Sequence, residues 1–298
     1  MVNIFKSSTV RVLLASGLLV GFWLGAISTA AAKTGDTIHW AGCGITKKAF
    51  MAELAQAFEK KTKIKVSLRG GGATRGIRDT ADLKVDMGGS CRMSLPEIER
   101  REMHVTLHPV AWDALAIIAH PSNPVKSLTT EQIKAIYFGQ ITNWKQVGGT
   151  DNPINLYARR GKLSGVGYAI RQYLFQDSSV EFKANNFVRS SGPLEKAVEK
   201  DPYAMGITGI SSARKRSVKI VAFNGKSPDF ETIKSGRYGL YRPLYLVTGP
   251  KPSKNVVEFV KFAKSVEGRN IIRNNGTVPY RDALSLMSKM VLYGFGVK

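Results

Sequence analysis

The chain has little of what builds metal centres and nucleophiles. It holds two cysteines and four histidines in 298 residues. His39, His104, His108 and His120 stand at no metal-ligand spacing. No Ser-His pairing and no His/Asp set marks a hydrolytic centre, so neither catalysis, a metal nor a cofactor is expected. Acidic residues are half as many as basic ones, 22 against 44, which leaves a formal charge of +22. Past the N-terminal segment no run approaches ~20 uncharged apolar residues, which excludes a later membrane-spanning helix. Internal repeats and low-complexity tracts are missing. The densest basic run, Ala213-Arg214-Lys215-Arg216, has no aromatic platform or zinc-finger spacing beside it, so nucleic acid is not an expected partner.

What is present begins with an address. Residues 1–32 combine Lys6 and Arg11, an apolar stretch over 12–27 and the small-residue site Ala30-Ala31-Ala32, the pattern of a cleaved secretory signal. An uncleaved N-terminal anchor is the alternative reading of the same stretch. Cleavage leaves +20, because the segment carries Lys6 and Arg11 and no acid. Such a charge draws anions, acidic polymers and anionic membrane surfaces without specifying one of them. Export also permits a disulfide between Cys43 and Cys91, with two free thiols or a redox or metal site as the alternatives. Met51, which could suggest a soft-metal ligand, falls on an apolar helix face and reads as core.

After residue 36, strand-like and helix-like stretches alternate, the signature of an α/β protein with largely parallel sheets. Strands are expected over residues 37–41, 64–68, 85–88, 154–158, 205–210, 218–223 and 245–248. Helices are expected over 47–61, 75–83, 95–103, 129–138, 167–175, 194–200, 256–265 and 281–293. Phe50, Met51, Leu54 and Phe58 share one face of the first helix. Length favours two domains. The chain crosses between them near residues 105–119 and returns near Arg242-Pro243-Leu244, giving 33–113 plus 245–298 as domain I and 114–244 as domain II.

Three short loops join a strand to a helix and are rich in glycine: residues 42–46 (GCGIT), 70–76 (GGGATRG) and 88–92 (GGSCR). Glycine at such a junction lets the backbone approach a ligand, while first-turn N–H groups without intrahelical partners point at it. An oxyanion fits this arrangement. Thr46, Thr74, Ser90 and Ser164 supply hydroxyls at the junctions, each of which could also be an ordinary N-cap. Arg160, four residues before Ser164, supplies a guanidinium able to bind two oxygens at once. Arg92 and Arg159 could reach the ligand or pair with a carboxylate, and for Arg159 the surface role is preferred.

The mature chain resembles the phosphate-binding periplasmic proteins that feed phosphate ABC transporters. The resemblance is carried by LTTEQIKAIYFGQITNWKQVGG, residues 128–149, and by VAWDALAIIAHPSNPV, DPYAMGITGIS and RPLYLVTG in order and spacing. It implies a two-domain, type II periplasmic-binding-protein-like fold hinged on two strand crossovers. Closure would trap an inorganic oxyanion, phosphate or a relative, and a monomer would dock on an ABC permease from the periplasm. By the same resemblance the ligand positions fall on Thr46, on the loop Gly71-Gly72-Ala73-Thr74, on Ser90 and on Arg160 with Ser164 and Gly165. Three departures stand out. Ala73 replaces a common Ser, Val166 replaces the Thr of Ser-Gly-Thr, and Cys91 sits at or near an Asp of some members. Two other classes compete with this reading: an exported phosphoester hydrolase, and a cationic adhesive or signalling protein that keeps the fold and binds no small ligand.

Overall fold

The computed structural model describes residues 37–293; the expected signal segment, residues 1–32, lies outside them. Eleven strands are described: β1 Thr37–Gly42, β2 Lys65–Gly70, β3 Met87–Ser90, β4 Thr106–Ala119, β5 Ser127–Leu128, β6 Asn155–Arg159, β7 Asn186–Val188, β8 Ala204–Gly209, β9 Lys219–Phe223, β10 Tyr241–Thr248 and β11 Val278–Pro279. The main strand order is β2-β1-β3-β10-β4-β8-β6-β7.

The sheet has two characters. β1 pairs in parallel with β2 and β3, and β6 pairs in parallel with β7 and β8, as strand-helix alternation requires. The long strand β4 joins these two halves and is antiparallel to all its partners. Its first part, from Thr106 to Ala114, pairs with β10, and its last part, from Leu115 to Ala119, pairs with β8 and β9. Largely parallel sheets were expected; the crossover strands make the sheet mixed, because a chain that passes through both halves and returns must run back beside itself.

Local chemistry explains most elements. In β1, Ile38 and Trp40 alternate inward while His39 faces out. The helical run over 44–62 buries Phe50, Met51, Leu54 and Phe58 completely or nearly so. Phe58 meets Phe259 edge-on at 5.0 Å, docking this run on the helix Lys254–Lys264. In the other half, Tyr137, Phe175 and Phe182 form an edge-to-face cluster, with the Arg171 guanidinium 3.8 Å from the Phe182 ring.

The stretch over 128–149 is cap chemistry. Thr129 and Gln132 form a reciprocal capping box at the helix Thr130–Tyr137, and Asn143 with Gln146 does the same at the turn Trp144–Val147. Trp144 is buried and donates its Nε1–H to the Tyr203 carbonyl at 2.9 Å.

One expected helix is absent. Over residues 95–103 the chain forms turns and then the short 3-10 helix Arg100–His104. Glu102 folds inward, and its Oε2 accepts the Leu95 N–H at 2.9 Å, which closes the segment on itself. No described helix is long and apolar enough to cross a membrane.

Cys43 and Cys91 form a disulfide with a Cα–Cα distance of 6.4 Å. It clamps the exit of β1 to the exit of β3. A closed loop of this size stabilises by roughly 4 kcal/mol in the chain-entropy account.

Candidate functional site

Four helix N-termini converge on one cleft of about 240 Å³. Two lie on the side of β1 to β3: the turn Gly44–Thr46 after Cys43, and the helix Ala73–Ala81 after Gly72. Two lie on the side of β6 to β8: Gly165–Ile170 after Ser164, and Ser191–Lys200 after Ser190. First-turn amides have no intrahelical acceptor and carry the positive end of the helix dipole, so their convergence favours an anion. Gly72 has φ +89° and ψ 168°, a region open essentially to glycine alone, and this conformation turns β2 into its helix beside the cleft. Gly76 packs so tightly on the Gly89 carbonyl that no side chain fits, which seats the same helix against β3.

Side chains add charge mostly from the second side. Arg159, at the end of β6, lines the cleft while only 5% exposed. Its Nη1 donates to Ser191 Oγ at 3.0 Å and its Nη2 to the Arg189 carbonyl at 2.7 Å, whereas its buried Nε has no partner. Burial, followed by repulsion from Arg242, pushes the Arg159 guanidinium down to about 10. It stays charged at neutral pH, and an anion in the cleft would relieve that strain.

Lys48 and Arg216 also line the cleft, and both hold the buried carboxylate of Glu195 at 3.2 Å. Lys48 donates in addition to Ser212 Oγ at 2.8 Å, crossing from one side to the other. Thr208 donates to the remaining Glu195 oxygen at 2.7 Å. At the floor, Arg242 of β10 donates to the carbonyls of Cys91 and Gly165, both at 3.2 Å, and its Nη2 meets Asp113 at 3.3 Å. One guanidinium thereby ties a loop from each side to the crossover strands.

The expected site residues divide. Gly72, Ala73 and Gly165 line the cleft, as do Cys43 and Cys91. Thr46 is fully buried behind the first turn, its Oγ1 without a partner. Ser90 is fully buried and donates to the Arg92 carbonyl at 2.7 Å. Thr74 donates to the Leu163 carbonyl at 3.0 Å, and Ser164 caps its own helix by accepting from the Gly167 amide at 3.1 Å.

Two arginines exchange expectations. Arg160 is exposed and stands off the cleft, while its neighbour Arg159 turns into it. Side chains alternate along β6, so Arg159 and Arg160 face opposite ways, and only Arg159 still lies within the strand. Arg92 is drawn away from the cleft by Glu102, whose oxygens accept its Nη1 and Nη2 at 2.8 and 2.9 Å.

Lys48, Ser190, Ser191, Gly192, Ser212 and Arg216 also line the cleft, and none of them is among the residues expected there from sequence. Ser190-Ser191-Gly192 carries the same signal as the three glycine loops, hydroxyls and a glycine opening a helix after a strand. Nothing comparable marks Lys48 or Arg216, whose placement depends on Glu195 from a distant helix. Among the described residues no three His, Cys, Asp or Glu side chains gather as a metal-ligand group.

The sequence model of the PBP superfamily domain matches residues 28–267. Among characterised relatives, the phosphate-binding protein PstS of Borreliella burgdorferi is 31% identical over 56% of this chain and 63% of its own length. The phosphate-binding protein PstS of Bacillus subtilis is 22% identical over 84% of this chain and 83% of its own. Thus the chain spans just under two thirds of the first relative and most of the second. A substrate-binding protein of Clostridium perfringens solved with bound phosphate superposes with a TM-score of 0.75 at 27% identity, covering 82% of this chain and 99% of that one. An ABC-type phosphate transport receptor from Vibrio cholerae gives 0.63 at 29% identity, with the same coverage.

Proposed function

The chain belongs to the PBP superfamily, and from that premise we propose that it captures an inorganic oxyanion, phosphate, in the cleft between its two sides and delivers it to an ABC permease. The observation that carries this reading is the meeting of four helix N-termini with the Arg159 guanidinium in one small cleft. Amides of Ala73 and Gly165 and the guanidinium donate to the anion's oxygens, while the Gly72 amide donates to the Gly42 carbonyl at 3.0 Å. Thr74 and Ser164 hold the loops that carry those amides, and Thr46 and Ser90 stay buried behind the cleft wall. Relatives named for phosphate binding, and a neighbour solved with phosphate, support the choice of ligand.

In this reading the protein acts as an exported periplasmic monomer without catalysis. Residues 33–113 with 245–298 form one lobe, 114–244 the other, and β4 and β10 form the hinge. Closure follows from contacts made by both lobes to one anion, since a ligand shifts a conformational equilibrium only through differential affinity.

Calorimetry with phosphate tests the assignment through a neighbouring pair. Arg159→Ala is expected to weaken binding about a hundredfold, the scale of hydrogen bonds to a charged group. Arg160→Ala is expected to bind as the parent does. The reverse pattern would return the guanidinium role to Arg160.

A further inference from the structure

The polar side chains facing the cleft are cations and hydroxyls, with no carboxylate among them. Arg159 occupies a lone pair of Ser191 Oγ, and Lys48 occupies a lone pair of Ser212 Oγ. A hydroxyl whose oxygen already accepts from a cation turns its own hydrogen elsewhere, and for both serines the open direction is the cleft. The carboxylate beneath, Glu195, is completely buried, and both its oxygens are taken by Lys48, Arg216 and Thr208. No aspartate or glutamate lines the cleft, and the Cys43–Cys91 disulfide on its wall cannot ionise. At each helix N-terminus the amides face the cleft while the carbonyls point away along the helix. Ser190 has a hydroxyl that caps no amide, and Ser191 and Ser212 each keep one lone pair, so the side-chain acceptors facing the cleft are neutral hydroxyls.

A wall of donors matches an anion whose oxygens all accept. Sulfate is such an anion. Hydrogen phosphate carries a P–OH that needs an acceptor, and here neutral hydroxyls, not a carboxylate, are the side chains that serve it; dihydrogen phosphate carries two such groups. We infer that this cleft accepts tetrahedral dianions as a class and does not use the ligand's proton to tell phosphate from sulfate. The inference rests on the anion cleft proposed above and specifies what that cleft selects.

Displacement of labelled phosphate by sulfate, with direct calorimetry of each anion, tests it. The two dissociation constants are expected to agree within about tenfold. Gly192→Asp then installs an acceptor: the position lines the cleft, an added Cβ meets nothing within 4 Å, and an acid is favourable in the first turn of a helix. In that variant, with its fold checked by circular dichroism, sulfate binding is expected to fall at least tenfold relative to phosphate. Phosphate binding that resists about a thousandfold excess of sulfate would overturn the inference and leave the anion-capturing function standing. Binding of neither anion would overturn both. Equal loss of the two anions in Gly192→Asp would overturn the account of the missing acceptor.

Discussion

Two buried glutamates, one on each side of the cleft, do opposite things with the same chemistry. Glu102 accepts from Arg92, Arg78 and the Leu95 amide, and the Arg92 side chain is thereby fully buried. Glu195 accepts from Lys48, Arg216 and Thr208, yet the lysine and arginine keep about a quarter of their side-chain surface, 30% and 22%, exposed along the cleft. On the first side the arginine charge is withdrawn into the scaffold and, apart from Lys48, the ligand surface is left to glycines and amides. On the second side a carboxylate is used as a foundation that aims cations outward. The comparison teaches that a buried ion pair is structural or functional according to where its cation can still be reached.

The largest expected effect comes from breaking the enclosed site. Glu102→Leu leaves Arg92 and Arg78 without their carboxylate, and removing one partner of a buried pair costs about 3–5 kcal/mol. Denaturant unfolding is expected to show that loss. Phosphate affinity of the folded fraction is expected to stay within a few-fold, because neither arginine lines the cleft. A large loss of affinity at unchanged stability would erase the contrast between the two sites.

The foundation site is expected to respond differently. Glu195→Gln removes the charge that two cleft cations share, at a cost of about 3 kcal/mol without ligand. Lys48 then lacks its carboxylate and Arg216 keeps Glu199 alone, at 3.8 Å, so a bound anion supplies what Glu195 gave. Thermal unfolding with and without saturating phosphate should therefore show a larger ligand-induced shift for the variant than for the parent. An equal or smaller shift would mean that Lys48 and Arg216 do not sense the anion.

Much of this organisation is legible in the sequence, and the part that is not has a physical cause. The alternation of elements, the buried face of Phe50, Met51, Leu54 and Phe58, the crossover strands and the glycine junctions follow from periodicity and turn chemistry, which are local. Thr129 and Asn143 announce their capping boxes in the same way. Arg92, Arg159 and Arg160 cannot be sorted like this, because each stands beside a glycine-bearing loop and differs only in its distant partner. Glu102 and Glu195 decide where the cations go, and both are brought into place by folding: Glu102 through a segment that abandons its expected helix, Glu195 through the helix Ser191–Lys200. Hydroxyls mislead for a related reason. Thr46, Thr74, Ser90 and Ser164 sit at the right junctions but spend their hydrogen bonds on the scaffold or stay enclosed, while the less conspicuous Ser190 and Ser191 face the cleft.

Acid acting on Glu102 is expected to give the smallest effect. Burial by itself raises the Glu102 carboxyl, but hydrogen bonds and charge from Arg92, then Arg78 and the Leu95 amide, outweigh it and hold the group below its ordinary value of 4.5. A carboxyl depressed in the folded state binds fewer protons there than in the unfolded chain. Its contribution to stability is therefore full above 4.5 and is lost as pH falls through the lowered folded value. The parent protein is expected to lose stability along that limb in denaturant titrations. Glu102→Gln, already less stable at neutral pH, should show a flatter one, the two curves converging toward low pH. Parallel curves through the acid range would mean that Glu102 does not titrate with folding, and that its hold on Arg92 is geometric rather than electrostatic.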